Sequence, residues 1–171
     1  MLLKSYNHDH EIYGNYVYNC GPGVQLGGEE GGTIENVDIY NNILYSNTCG
    51  IRLHEMTGSP KRNVRIFNNT IVDFYGDWDG GINIWADNIE NITIRNNICY
   101  TSYDGCLGQV VVNRSADLGE IDSADNLVYS PRWTGACGAW AQELYEGTTE
   151  ADPLFVDKDN GDFHLQPAPP L

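Results

Sequence analysis

The residues of this chain best suited to ligand chemistry are an arginine, a histidine and two tryptophans: Arg52, His54, Trp78 and Trp85. An indole offers a broad apolar face and one N–H donor, so either tryptophan could stack on a sugar ring. A guanidinium pairs bidentately with a carboxylate or a sulfate, which suits Arg52 to an acidic sugar. An imidazole exchanges protons near neutral pH, so His54 is a candidate acid or base. By hypothesis, these residues are candidates for contacts with a polysaccharide or oligosaccharide.

Carboxylates close to these residues add two further hypotheses. Glu55 or Asp79 could orient His54 or act as a second acid or base. Asp77, Asp79 and Asp87 could bind calcium, which prefers oxygen ligands. Their spacing does not follow an EF-hand loop, so calcium is an optional ligand and no cofactor is required. The candidates for catalysis are His54, Arg52, Glu55 and Asp79, without a motif that assigns their roles.

The elements that would position these residues follow from an internal repeat. Four segments align without gaps on a central isoleucine and on an asparagine three residues later. The isoleucines are Ile12, Ile39, Ile66 and Ile94, and the asparagines are Asn15, Asn42, Asn69 and Asn97. The spacings are 27, 27 and 28 residues, and a fainter fifth copy places Asn126 in the asparagine position. A sustained period of this length indicates a stacked solenoid.

Each copy continues into a second apolar alternation, which a glycine opens in the first three copies. In parallel coils stacked about 4.8 Å apart, equivalent residues of successive copies form columns. Two outward columns are predicted here: Gln25, Arg52, Asn83 and Val111, and beside them Gly27, His54, Trp85 and Asn113. The predicted binding face therefore consists of Gln25, Arg52, His54, Asn83 and Trp85, with Trp78 in the turn that precedes it.

Two more columns are predicted around the repeat asparagines. Each asparagine lies where one strand turns sharply into the next, so its amide can bond to the equivalent amide of the next coil. We expect a ladder of asparagines along the axis. The outward residues just before it should form an aromatic stack of Tyr13, Tyr40 and Phe67, which stabilises the array.

The fold class that follows is all-β: a right-handed parallel β-helix of about five coils, with three short strands per coil. Leucine-rich repeats have a similar period but include a helical segment, whereas β-branched residues here alternate at period two. Propeller blades need about 40 residues per repeat. A single domain is expected over 1–171, with repeat coils over 1–130, an irregular loop over 131–150 and a closing segment over 151–171.

Composition restricts the partners. The chain has 9 basic and 24 acidic residues, and its net charge of -15 argues against nucleic acid and anionic membranes as partners. No stretch approaches the roughly 18 apolar residues of a membrane-spanning helix, and the first residues lack a signal-peptide core. The five cysteines, without a CxxC pair, are expected to be small buried apolar residues.

The motif N-V-x-I-x-N-N-x-I, followed by G-I-x-L, resembles the repeat of the pectin-lyase-like superfamily of right-handed parallel β-helices over about residues 8–130. The tail ADPLFVDKDNGDFHLQP, from Ala151 onwards, resembles the closing segment of bacterial extracellular β-helix proteins. The resemblance implies an extracellular location and a substrate on the outer face of the Gly-Ile-x-Leu strands. It also implies an N-terminal capping helix, which has no counterpart here. We therefore expect a homodimer in which a second copy covers the uncapped first coil.

Three functions stay open: a carbohydrate-interacting module, a polysaccharide lyase or glycoside hydrolase, and a self-associating scaffold. By the resemblance, a lyase would use a lysine or arginine base with calcium or a basic cluster, and a hydrolase would use clustered aspartates. Neither Arg52, Lys61 and Arg62 nor Asp77 and Asp79 align with such a motif. Fold alone does not choose among these functions. The convergence of tryptophan, arginine and histidine on one face favours binding.

Overall fold

The chain forms a parallel β-solenoid whose described part has about four turns, slightly fewer than the five coils expected. The computed structural model describes residues 1–4, 6–27, 32–55, 58–76, 80–103, 110–113, 115–130, 141–143 and 147–167. The first strands are β1 (Leu2–Leu3), β2 (Asn7–Tyr13), β3 (Tyr16–Tyr18), β4 (Pro22–Leu26), β5 (Ile34–Tyr40), β6 (Ile43–Tyr45), β7 (Cys49–His54), β8 (Lys61–Phe67) and β9 (Thr70–Val72). The following strands are β10 (Ile82–Trp85), β11 (Ile89–Arg95), β12 (Ile98–Tyr100), β13 (Val110–Asn113), β14 (Ile121–Ala124), β15 (Asn126–Tyr129), β16 (Ala141–Glu143), β17 (Thr148–Glu150), β18 (Phe155–Asp157) and β19 (Asp162–Leu165).

Three sheets run along the solenoid, and each coil contributes one strand to each of them, which confirms the predicted three-strand coil. Sheet 1 has the order β1-β4-β7-β10-β13-β16, sheet 2 the order β14-β11-β8-β5-β2, and sheet 3 the order β17-β15-β12-β9-β6-β3. All pairings within these sheets are parallel except that of β13 with β16. Register follows the repeat, since Ile12 pairs with Ile39, Ile39 with Ile66 and Ile66 with Ile94. These isoleucines point inward and are at most 4% exposed.

The corner between sheets 2 and 3 is built by two adjacent residues in each coil. The first has a left-handed backbone, with φ between 53° and 65°, at Gly14, Asn41, Asn68, Asn96 and Asp125. Glycine, asparagine and aspartate tolerate this conformation best, which explains the Asn-Asn pairs in the sequence. The second residue is the repeat asparagine. Its Nδ2 donates to Oδ1 of the next asparagine at 2.8 to 3.0 Å, from Asn15 through Asn42, Asn69 and Asn97 to Asn126.

This asparagine ladder confirms the prediction, and each internal rung is hydrogen-bonded in several directions. Asn69 Oδ1 accepts from both the backbone N–H and Nδ2 of Asn42. Asn69 Nδ2 also donates to the carbonyl of Ile39 at 2.8 Å. Asn42, Asn69 and Asn97 are each 1% exposed. Buried amides must find partners, so the ladder fixes the register of neighbouring coils.

One core position departs from the sequence analysis. Lys61, which the sequence analysis groups with Arg52 and Arg62 as a basic residue, begins β8 and pairs in register with Ile34 and Ile89. Its side chain points into the core and is fully buried. Its Nζ donates to the carbonyl of Ser59 at 2.8 Å. Burial lowers the pKa of the Lys61 ammonium group, although Glu55 acts in the opposite direction. Lys61 is therefore an interior residue rather than part of a basic surface cluster.

The expected closing segment lies along the side of the solenoid. Strands β18 and β19 form an antiparallel hairpin, and its Phe155 and Phe163 pack on Val72 at the outer face of sheet 3. Phe163 also contacts Tyr16 and Tyr45, with ring centroids 6.4 and 5.3 Å apart. The hairpin therefore covers several coils at once. In the described part of the chain the only helical segments are two 3-10 turns, Leu118–Glu120 and Lys158–Asn160.

The cysteines within the described residues fit the expected structural role in two cases out of three. Cys49 and Cys99 are buried and Cys20 is exposed, and none of the three forms a disulfide. Burial raises the pKa of the Cys99 thiol to about 12, so it stays protonated and behaves as an apolar side chain. Cys106 and Cys137 lie outside the described residues. None of the helices that are described is long and apolar enough to span a membrane.

Candidate functional site

The first predicted column of sheet 1 is present in the predicted register, and so is the central pair of the second. Gln25 pairs with Arg52, Arg52 with Asn83 and Asn83 with Val111. In the adjacent column His54 pairs with Trp85. The parallel stacking of β4, β7, β10 and β13 therefore brings Gln25, Arg52, His54 and Trp85 to one face from positions up to 60 residues apart in the sequence.

Trp85 is the centre of the exposed part of this face. Its side chain stands outward at the end of β10, and the residue is 38% exposed. The imidazole of His54 meets the indole edge to face, with ring centroids 5.4 Å apart and an interplanar angle of 89°. The Cζ atom of Arg52 lies 6.0 Å from the centroid of the same ring. A guanidinium at this distance interacts with the indole quadrupole and limits the positions that both side chains adopt.

Asn83 is not part of the exposed surface, although the sequence analysis placed it there. It is 0% exposed, as is Val111 in the next coil, whereas Gln25 and Arg52 are half-buried. Alternation along a strand determines the direction of a side chain, but it does not reveal what folds over it. The accessible column thus ends at Arg52, and Trp85 continues the surface on the neighbouring column. Gln25 donates from Nε2 to the carbonyl of Gly27 at 3.0 Å.

Two carboxylates proposed for chemistry instead join neighbouring coils. Glu55 Oε2 accepts hydrogen bonds from the backbone N–H groups of Asp87 and Asn88, each at 3.1 Å. Asp87 Oδ1 in turn accepts a 2.6 Å bond from the hydroxyl of Ser115. Each bond links one coil to the next at the corner after sheet 1. These contacts give Glu55 and Asp87 a structural role beside the face.

Of the remaining predicted site residues, some lie within the described part of the chain and others do not. Asp77, Trp78 and Asp79 lie outside the described residues. Arg62 is on the outer face of sheet 2, where its Nε is 2.9 Å from Glu90 Oε2. Within the described ranges, no group of three or more His, Cys, Asp or Glu side chains is arranged to hold a metal ion. The calcium hypothesis therefore rests on Asp77, Asp79 and Asp87 as a sequence pattern.

A second polar row on sheet 2 was not predicted. It begins at Asp9, whose Oδ1 accepts from Asn36 Nδ2 at 2.9 Å. The row continues from Asn63 to Asn36 at 3.0 Å and from Asn91 to Asn63 at 2.8 Å. All four residues are exposed and have φ between 50° and 59°. Their spacing of 27, 27 and 28 residues matches the main repeat, which is the signal that could have identified them.

The predicted aromatic stack is confirmed at the other margin of sheet 2. The rings of Tyr13, Tyr40 and Phe67 lie nearly parallel, with successive centroids 5.0 Å apart and interplanar angles of 9° and 5°. Because each ring covers the face of the next, mainly ring edges remain for a ligand. This geometry supports the structural interpretation of the column.

The comparisons with known proteins add no relative. No family model, no curated protein and no solved structure matches this chain. The fold class is therefore defined by the structure itself, as a parallel β-solenoid with an asparagine ladder. The likeness to the pectin-lyase-like superfamily rests on the repeat motif.

Proposed function

We propose that this protein binds an acidic polysaccharide on the outer face of sheet 1. The observation that carries the proposal is the cluster of Arg52, His54 and Trp85 around one exposed indole. Two coils supply this cluster through the parallel pairing of β7 with β10. A site built on paired strands holds its side chains more precisely than a site on loops.

Each residue of the cluster has a distinct part in the proposed binding. The indole of Trp85 stacks on a pyranose ring, whose C–H groups provide an apolar surface. The guanidinium of Arg52 pairs with a uronate carboxylate. The imidazole of His54 packs against Trp85 and offers a polar edge to sugar hydroxyls. Stacking and ion pairing together select an acidic sugar over a neutral one.

Because the chain is strongly negative, the proposed preference for an acidic sugar has to come from local contacts at the cluster. A net charge of -15 repels a polyanion at long range, so the molecule has no general attraction for acidic polymers. One carboxylate oxygen of Glu55 and one of Asp87 accept hydrogen bonds from protein donors. Removal of the Arg52 charge should therefore weaken binding strongly.

Affinity gel electrophoresis with polygalacturonate tests the proposal. We expect Trp85→Ala and Arg52→Gln to bind about tenfold more weakly than the native chain. Tyr18→Ala and Arg62→Gln remove an exposed tyrosine and an arginine from other faces and should change affinity less than about twofold. Equal affinity of all four variants, or no retardation of the native chain, would contradict the proposal. An ultraviolet-absorbing unsaturated product in the same mixtures would instead show a lyase.

A further inference from the structure

A groove of about 750 Å³ runs along the outer face of sheet 2, on a different side of the solenoid from Arg52 and Trp85. It is lined by the amide row of Asn36, Asn63 and Asn91 and by the charged residues Glu11, Asp38 and Arg65, which we call its floor. Four successive strands, β2, β5, β8 and β11, contribute to it. We call it the sheet 2 groove.

The amide row presents repeated hydrogen-bonding groups to this groove. Each row bond uses one N–H of one asparagine and one oxygen lone pair of its neighbour. A carboxamide has two N–H donors and an oxygen with two lone pairs, so the row bonds engage only part of its capacity. The left-handed backbone at each asparagine holds the amides in one line. The row therefore offers donors and acceptors once per coil.

The floor combines acceptors with a fixed cation. Arg65 pairs with Asp38 of the preceding coil through both Nε and Nη2, and the Nε–Oδ1 distance is 2.6 Å. The charged lining groups other than the histidine are three carboxylates, those of Asp9, Glu11 and Asp38, and one guanidinium, that of Arg65. A polyanion is disfavoured by this excess of negative charge. Carboxylates and amides are instead suitable partners for hydroxyl groups, which both donate and accept.

The groove repeats at the spacing of the coils, about 4.8 Å. An extended β-1,4-linked sugar chain laid along the solenoid axis advances by a similar distance per sugar residue. We propose that the sheet 2 groove binds a linear neutral polysaccharide, with about one sugar residue per coil. This proposal concerns a second face and does not depend on binding at Trp85.

Asparagine-to-glycine substitutions provide a matched test. Asn63→Gly removes one amide of the row while glycine accepts the local φ of 50°. Asn68→Gly is the control, because Asn68 is exposed in the same coil with a φ of 55° but lies outside the groove. Isothermal titration with linear oligosaccharides of β-1,4-linked glucose, xylose and mannose should show about tenfold weaker binding for Asn63→Gly. The control should stay within about twofold of the native chain, and thermal denaturation verifies that both variants fold.

The outcomes separate the two faces. Equal binding by Asn63→Gly and the native chain would overturn the groove proposal, as would absence of binding to all three neutral oligomers. Binding of cationic chitosan oligomers alone would also overturn it, because attraction by the carboxylates would then suffice. If Trp85→Ala abolished binding of the neutral oligomers while Asn63→Gly did not, the ligand would lie on sheet 1.

Discussion

The Nζ atom of Lys158 lies 2.9 Å from Oδ2 of Asp73, which precedes it by 85 residues. This ion pair connects the C-terminal hairpin to the corner after sheet 3. Asp73 is itself oriented, since its Oδ1 accepts from the backbone N–H and the hydroxyl of Ser102. Lys158 Nζ also lies 5.5 Å from the ring centroid of Tyr100. This ion pair thus complements the apolar packing of Phe155 and Phe163.

Removal of this ion pair should loosen the hairpin. Lys158→Met is expected to lower the free energy of unfolding by about 2 kcal/mol, since a largely buried carboxylate loses a charged donor. Limited proteolysis within 151–167 should become faster. Lys4→Met, which removes an exposed lysine, should leave both measurements unchanged. Equal cleavage rates in the two variants would mean that apolar packing alone holds the hairpin.

The contribution of Lys158 should also depend on pH in the alkaline range. Burial lowers the pKa of Lys158, but the hydrogen bonds to Asp73 and Asp159 outweigh it, so the net shift is upward. A raised folded-state pKa gives stability that is complete below the ordinary value of 10.5 and is lost as pH rises through the folded value. The difference in unfolding free energy between the native chain and Lys158→Met should therefore shrink above about pH 10.5. Urea denaturation at pH 7 and at higher pH measures it.

The contribution of the buried Lys61 to stability should depend on pH with the opposite sign. Its pKa is lowered by burial, so the unfolded chain binds more protons than the folded one between the folded-state value and 10.5. Stability then rises with pH across this interval. We expect Lys61→Met to raise the unfolding free energy at pH 7 by about 1 kcal/mol, because an apolar side chain between Ile34 and Ile89 avoids desolvation of a charge. Destabilisation by this substitution at pH 7 would show that the bond to Ser59 outweighs the cost of burial.

The asparagine ladder should be more sensitive in its middle than at its end. Asn69→Ala removes bonds to Asn42 and Asn97 and leaves buried partners unsatisfied, for a loss of about 3 kcal/mol or more. Asn15→Ala removes the half-buried first rung and should cost about 1 kcal/mol. Guanidinium denaturation of the two variants provides the comparison. Similar losses for both would argue against a cooperative ladder.

Two glycines with left-handed backbones provide a further contrast. A Cβ atom at Gly27 would lie 2.2 Å from the carbonyl oxygen of His54, whereas one at Gly14 would have nothing within 4 Å. Gly27→Ala should therefore lower stability by about 3 kcal/mol or more, and Gly14→Ala by about 1 kcal/mol for its φ alone. Thermal denaturation distinguishes them. A larger loss at Gly14 would be incompatible with the close approach of β4 and β7.

The homodimer stays a prediction. Strands β1, β2 and β3 are the outermost strands of their sheets, and Tyr6, Tyr13 and Tyr18 are more than half exposed. Residues 1–27 contain one lysine and two carboxylates, so this end carries -1 of the total charge of -15 and repels a second copy least. We expect light scattering to give the mass of two chains, and Tyr13→Lys to give the mass of one. A single-chain mass for the native protein at high concentration would refute the dimer.

The 27-residue period was sufficient to predict the repeating columns and strand pairings, but not the contacts that occur only once in the molecule. It placed Arg52 beside Asn83 and His54 beside Trp85, because equivalent positions of parallel coils must stack. It could not show that Asn83 is buried, since the period fixes the direction of a side chain and not what packs on it. The hairpin around Phe163 packs through contacts with distant coils that no local pattern encodes. Lysine is usually a surface residue, whereas the 27-residue spacing from Ile34 to Lys61 indicates an inward position.

The asparagine row of sheet 2 is difficult to predict for a different reason. Asn36, Asn63 and Asn91 interrupt the strict alternation of their strands, and asparagine is usually interpreted as a turn residue. In this fold a left-handed residue inside a strand is tolerated because four successive strands, β2, β5, β8 and β11, make the same deviation at the same place. The regular recurrence of these asparagines was therefore as informative as the recurrence of the inward isoleucines.

The corner between sheets 2 and 3 keeps the same length in every coil, from Gly14-Asn15 to Asp125-Asn126, whereas the chain between sheets 3 and 1 varies. Growth of the molecule by duplication of one 27-residue segment would thus lengthen every column by one rung and disturb none of the existing ones. Each added coil would extend the outer faces of all three sheets by one strand, and a change in the chain between sheets 3 and 1 would alter that corner without changing the spacing of the coils.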